Sequence, residues 1–218
     1  MELRDAIRTN GTVRRFTNDP VPRSTVIDVL DDARFAPSGG NRQPWHVAVV
    51  EDASIRRSMV GLMQPIWDEY LEAAMVGGTP FNAVDYVVPA DISANKPNDL
   101  LAQIDTIAVV LAVAVDLRDI AMMDGNLSRP AMTGGASIYP FCWNLLLSAR
   151  AHGLGGVLTT FLSRAEDTAG RLLGLPAHHA LVATIFLGVP EHQPTKLKRS
   201  PVDTFATLDR FDGPTLTD

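Results

Sequence analysis

The sequence predicts one α+β domain, a few strands covered by many helices. Two observations carry that expectation. Three β-branched apolar segments, 46–51, 107–116 and 180–187, read as strands, and the segments between them repeat apolar residues at helical spacing. No internal repeat, low-complexity tract or long linker divides the 218 residues, so the domain is expected to run over 1–218.

A short helix over 2–8 places Leu3, Ala6 and Ile7 on one side and is broken at Asn10-Gly11. After Pro20 and Pro22 a second helix is expected to start at Ser24 or Thr25, both able to cap it, with Val26, Val29, Leu30 and Ala33 on its apolar face. Residues 54–76 keep helical spacing, but Pro65 predicts two consecutive helices. Residues 77–99 and 117–135 are irregular, and a long irregular stretch in a compact domain is usually functional or mobile. Asp99 to Ile104 reads as one or two helical turns.

The run 107–116 is apolar throughout, as a strand buried on both faces must be. A buried helix follows over 136–152, with Ile138, Phe141, Trp143, Leu145, Leu146 and Ala149 as its core residues and Gly153 as its stop. Gly155-Gly156 reads as loop. Ser163-Arg164-Ala165-Glu166 has the form of a capping box, and Gly174 and Pro176 close that helix. The tail, from about 190 to 218, is polar with isolated Phe205, Leu208 and Phe211, so it needs a surface to lie on.

Composition excludes several functions. Lys plus Arg is 19 against 25 Asp plus Glu, a net charge of −6, without the basic footprint of a nucleic-acid binder. A single cysteine, Cys142, rules out an intrachain disulfide and a Cys-based zinc site. The N-terminus has no apolar signal-like stretch, and no run approaches the roughly 20 apolar residues of a spanning helix, so a cytoplasmic protein with no membrane partner is expected. Gly-x-Ser-x-Gly, P-loop and Gly-x-Gly-x-x-Gly motifs are absent. What remains are anion and polar-ring binders. Thr12-Val13-Arg14-Arg15-Phe16 offers a hydroxyl and two guanidiniums, which grip phosphate through paired hydrogen bonds. Pro37-Ser38-Gly39-Gly40-Asn41-Arg42-Gln43-Pro44-Trp45 combines small residues with amides, and Lys198-Arg199 adds a cationic pair.

Together these blocks resemble the FMN-dependent nitroreductase family. The carrying residues are Val13-Arg14-Arg15-Phe16, Ala33-Arg34-Phe35-Ala36, and the 37–45 run that leads straight into a strand. Asn144 to Gly153 and Lys198-Arg199-Ser200-Pro201-Val202 extend the resemblance in order to about residue 205. It implies a small mixed, mainly antiparallel sheet wrapped by helices, in an intertwined homodimer whose C-terminal tails cross onto the partner. Two FMN sites would lie between the subunits.

By the same resemblance, Arg14 would approach the flavin pyrimidine edge or ribityl chain, and Thr12 the ribityl phosphate. Ser38, Gly39 and Asn41 would come from the partner chain. Leu158, Thr159 and Thr160 would run beside the ring, with a backbone N–H aimed at N5. Lys198 and Arg199 would hold the 5′-phosphate, with Arg15 sharing that task or standing in solvent. Trp67, Tyr70, Phe81 and Met122 are candidate substrate walls, core packing being the competing role for Trp67. The sequence departs from the family twice: Asn10-Gly11-Thr12 stands where Arg-Arg-Ser is common, and Thr159 or Thr160 where an acidic residue often lies beside N5.

The implied activity is hydride transfer from NADH or NADPH through FMN to a nitroaromatic or quinone, by a ping-pong mechanism without a side-chain nucleophile. Two other readings stand beside it: flavin cleavage or reductive dehalogenation on the same fold, and a flavin-binding or interaction protein without turnover.

Overall fold

A computed structural model of the chain describes residues 1–86 and 96–217. Its centre is a four-stranded sheet of β1 (Trp45–Val49), β2 (Val109–Asp116), β3 (Gly155–Thr159) and β4 (His179–Gly188), in the order β1-β2-β4-β3. Every pairing between them is antiparallel. The helices are α1 (Leu3–Thr9), α2 (Arg23–Ala33), α3 (Ala53–Met75), α4 (Asp99–Ala102), α5 (Tyr139–Ala151), α6 (Phe161–Arg164) and α7 (Glu166–Leu173).

β2 is central, and seven of its eight residues are buried. Its odd-numbered side chains, Val109 to Val115, pack with α2 and α5 around Val29, Phe141 and Leu145. The even-numbered ones, Val110, Ala112 and Ala114, pack with Met59 and Met63 of α3, Leu162 of α6 and Ala169 of α7. The two-residue period of the strand therefore creates two cores, one on each face. Cys142 lies in the first, and burial pushes its thiol up to about 12, which leaves it without thiolate chemistry at neutral pH.

Five readings of the sequence are corrected. Pro65 does not divide the helix: α3 is continuous over 23 residues. An interior proline costs a hydrogen bond, but α3 buries Met59 and Met63 before it and Ala73 after it, and Asp52 caps its start by accepting from the N–H groups of Ser54 and Ile55. Packing on both sides outweighs the break. Second, α2 begins at Arg23 after Pro22, without a side-chain cap from Ser24 or Thr25. Third, Ser163 caps nothing and Glu166 serves another donor, accepting from the Leu181 N–H at 2.6 Å, so the segment forms two short helices, α6 and α7. Fourth, Gly155-Gly156 opens the edge strand β3. A Cβ on Gly155 would lie 2.6 Å from Val13 Cγ2, and one on Gly156 2.7 Å from Leu146 Cδ2, so these glycines answer close approach. Trp143, expected in the core, is 44% exposed on α5.

Of the two irregular segments, residues 87–95 lie outside the described residues. Residues 117–135 are folded around Asp124, whose buried carboxylate accepts from Arg129, from the Met132 and Thr133 N–H groups and from the Thr133 hydroxyl. The tail holds one bridge of its own, Thr207 to Thr215, and leaves Phe205 and Phe211 exposed. Among the described residues no helix is long and apolar enough to cross a membrane.

Candidate active site

The segment before α2 is extended. Val13 and Phe16 are buried, the Val13 N–H donates to the Gly156 carbonyl at 3.0 Å, and Phe16 bridges Pro190. Val13 is pinned to the edge of β3, and its neighbours Thr12 and Arg14 are exposed. Gln103, just beyond α4, clamps the same segment. Its amide oxygen accepts from the Phe16 N–H at 3.3 Å, and its Nε2 donates to the Asp99 carbonyl at 2.7 Å and the Arg14 carbonyl at 3.5 Å.

These constraints form one wall of a cleft of about 760 Å³, within the roughly 300–1,000 Å³ typical of small-molecule sites. Thr12, Arg14 and Arg15 line it together with Leu158, Thr159 and Thr160 of the β3 end. Trp67 and Tyr70, one turn apart on α3, line it too, stacked with ring centroids 5.8 Å apart and planes 8° from parallel. Trp67 is thus a cleft residue, and its Nε1 donates to the Lys96 carbonyl at 3.0 Å. Asn98, buried, caps α4 by accepting from the Leu100 and Leu101 N–H groups.

The two arginines differ. Arg15 is committed to Asp99, with Nη2 at 2.7 Å and Nε at 3.2 Å from one carboxylate oxygen, and that partner holds its pKa above the ordinary value. Arg14 lines the cleft with no hydrogen bond from its guanidinium to any described residue. The Thr159 hydroxyl oxygen, also on this wall, is buried with no partner among the described residues.

Other predicted site residues stand elsewhere on the chain. Ser38, Gly39 and Asn41 do not line this cleft. Their loop is held by its own bonds, from the Gly39 N–H to Ser137 Oγ at 3.1 Å and from the Gln43 N–H to Ser38 Oγ at 2.9 Å. Gly40 takes positive φ there, as glycine does freely, and so do Asn41 and Gln43, for which that conformation is held by the surroundings. Lys198 and Arg199 are exposed in the tail, Arg199 donating to the Lys198 carbonyl. Met122 is exposed beside Gly134. Phe81 lines an adjoining chamber and meets Tyr70 at 6.3 Å between centroids.

Lys96, Asp99, Glu191 and His192 also line the cleft and carried no signal in the sequence. Lys96, Glu191 and His192 sit in irregular backbone, where spacing says nothing about direction, and Asp99 opens the one-turn helix α4. Gly11 explains one departure noted above: a Cβ there would come within 2.5 Å of the Pro194 carbonyl oxygen, so the tail occupies the space an arginine side chain at position 11 would need to leave the backbone. No group of three or more His, Cys, Asp or Glu among the described residues is arranged to hold a metal.

The arrangement can bind a flat, polar-edged ligand. It offers a free guanidinium, hydroxyls, an edge strand and an aromatic wall. Comparison with known proteins points the same way. The chain is 29% identical over 212 residues to a protein named NADH dehydrogenase from Thermus thermophilus, covering 93% of this chain and 94% of that one. It is 25% identical to human iodotyrosine deiodinase 1, covering 93% of this chain and 66% of that protein. Its fold matches the solved structure of an NADPH:FMN oxidoreductase from Vibrio harveyi complexed with NAD+, with a TM-score of 0.69 at 18% identity, covering 95% of this chain and 76% of that one. The model of the nitroreductase family matches residues 7–189, and the chain belongs to that family.

Proposed function

We propose that the chain is an NAD(P)H-dependent oxidoreductase that uses FMN and works as a homodimer. The observation that carries the reading is the convergence of Thr12, Arg14 and residues 158–160 on one cleft that Trp67 and Tyr70 also line. The residues present suit the cofactor: the Arg14 guanidinium makes no hydrogen bond or ion pair to a described residue, and the Thr159 hydroxyl lacks a partner among them. Bound FMN would supply a two-electron carrier between NADH or NADPH and a nitroaromatic or quinone acceptor. Arg14 presents a fixed positive charge to a ligand that becomes more negative as it accepts hydride, a preorganised electrostatic effect. Leu158, Thr159 and Thr160 would line one side of the bound cofactor, and Trp67 and Tyr70 would add aromatic surface to its site. Donor and acceptor would each need the same cleft, from which ping-pong kinetics are expected.

Sheet geometry supports the dimer. β1 is an edge strand with only β2 beside it, and unpaired edges invite a further strand. The tail from about 190, with its exposed Val202, Phe205 and Phe211, is the segment to cross onto the partner. Ser38, Gly39 and Asn41 then reach the partner's cleft, and Lys198 and Arg199 its phosphate. Truncation after Pro194 is expected to give a monomer by light scattering; a stable truncated dimer rejects tail exchange.

The protein should purify yellow and bleach anaerobically with NADH or NADPH. Colourless protein that ignores added FMN would leave the non-catalytic reading. Replacing Arg14 with alanine is expected to weaken FMN binding about tenfold, the worth of one charged hydrogen bond, and to slow flavin reduction. Unchanged affinity and rate would remove Arg14 from the site. Similarity to the deiodinase favours reductive dehalogenation as the second reading, so a halogenated phenol belongs in the acceptor panel beside nitro compounds and quinones.

A further inference from the structure

Beside the cleft lies a second chamber of about 500 Å³ that shares Tyr70, Thr160 and Phe161 with it. Phe81 adds an aromatic wall, and Arg164 and Ser163 add polar groups. Arg164 lies with its guanidinium carbon 4.3 Å from the Phe81 ring centroid. Its Nη2 donates to Glu69 Oε1 at 2.7 Å, and the same oxygen accepts from the Tyr86 hydroxyl at 2.7 Å. Glu69 does not line the chamber.

Two features make this more than a packed corner. A guanidinium has five N–H donors, and a single Nη2 contact to Glu69 is the only hydrogen bond the Arg164 side chain donates among the described residues. Ser163 carries a buried hydroxyl oxygen with no partner among them. The side chains lining the chamber are aromatic and aliphatic surface, hydroxyls and one cation, with no carboxylate. Such a lining complements a flat ring whose oxygens only accept hydrogen bonds and carry negative charge.

We infer that this chamber is an acceptor subsite in which Arg164 selects aromatic compounds bearing a carboxylate over their neutral analogues. The inference rests on the oxidoreductase reading for its role but not for its test. The ring would lie against Tyr70, Phe81 and Phe161, and the carboxylate would take the open edge of the guanidinium. Arg164 would then hold two carboxylates, its own Glu69 and the ligand's, on different N–H groups.

Binding can be read without turnover, from quenching of tryptophan fluorescence by benzoate and by benzyl alcohol in the protein as purified. Benzoate should bind about tenfold more tightly, and raised salt should narrow the gap. Arg164→Met should erase the preference, and Glu69→Gln, which frees the guanidinium, should widen it. Rates with 4-nitrobenzoate and nitrobenzene should show the same ratios. Equal binding of the two ligands in the wild type, or a preference that survives Arg164→Met, overturns the inference. Should Arg164→Met fail to fold, an unchanged preference in Glu69→Gln overturns it alone. Yellow, NAD(P)H-bleached protein without the preference defeats only this subsite, whereas colourless protein that keeps it defeats only the flavin reading.

Discussion

Replacing Arg56 by methionine is expected to cost about 3–5 kcal/mol of stability, the largest loss from any one side chain discussed. Arg56 is 8% exposed on α3, and its guanidinium binds backbone. Nε donates to the Val50 carbonyl at 2.8 Å, and Nη1 to the carbonyls of Ile107 at 2.7 Å and Ile104 at 3.2 Å. Desolvation pulls its pKa down, with Asp105 and Glu51 opposing from a distance, but an arginine stays charged at any working pH. Methionine fills a similar volume and leaves three carbonyls without their donor. Each orphaned buried carbonyl costs about 1–3 kcal/mol, less what water recovers. Urea titration checks this: the midpoint should fall with the slope unchanged. A loss under about 1 kcal/mol would mean that water already reaches those carbonyls. Arg56→Lys should fall between, because an ammonium cannot span two strand ends. The effect reaches the site. Arg56 ties the end of β1 and the approach to β2 onto α3, and α3 carries Trp67 and Tyr70 while residues 98–103 carry the Gln103 clamp.

That clamp shows where sequence reading succeeds and where it stops. The strand at 109–116 was legible because a strand buried on both faces can be written only in apolar residues. The block 12–16 drew attention only in company with the 37–45 run, because an arginine pair by itself is usually a solvated face; the structure places Thr12, Arg14 and Arg15 on the cleft. The sequence did not show that Arg15 is spent on Asp99, 84 positions away, or that Gln103 reaches back to Phe16. Long-range polar pairs leave no periodic trace. β3 was missed for a related reason. Glycine in a sequence signals freedom, but at 155 and 156 it answers a lack of space that only the packed structure reveals. Likewise Pro65 read as a break because local cost was legible and tertiary gain was not. The adjacency of α3 to the β3 end, which makes the cleft, is a property of the assembled sheet.

Gly155→Ala should damage the site more than its size suggests, and comparison with Gly156→Ala isolates why. A methyl at 155 would meet Val13 Cγ2 at 2.6 Å, Val13 Cβ at 2.9 Å and Pro190 Cβ at 3.0 Å. The Val13 Cβ cannot swing aside without its backbone, and that backbone carries Thr12 and Arg14 into the cleft. A methyl at 156 would meet Leu146 Cδ2 at 2.7 Å and Leu187 Cδ2 at 2.8 Å, the ends of two side chains on the other face of the sheet. Both substitutions overpack, each by about 1–3 kcal/mol. Only the one at 155 pushes on the 12–14 segment. FMN affinity should therefore drop at least about tenfold in Gly155→Ala and stay near the wild-type value in Gly156→Ala, at matched losses of stability. Fluorescence titration with FMN, run beside urea denaturation, separates the two quantities. Equal loss of affinity in both variants would mean that cofactor binding follows global stability, and that the Val13 anchor does not aim Arg14.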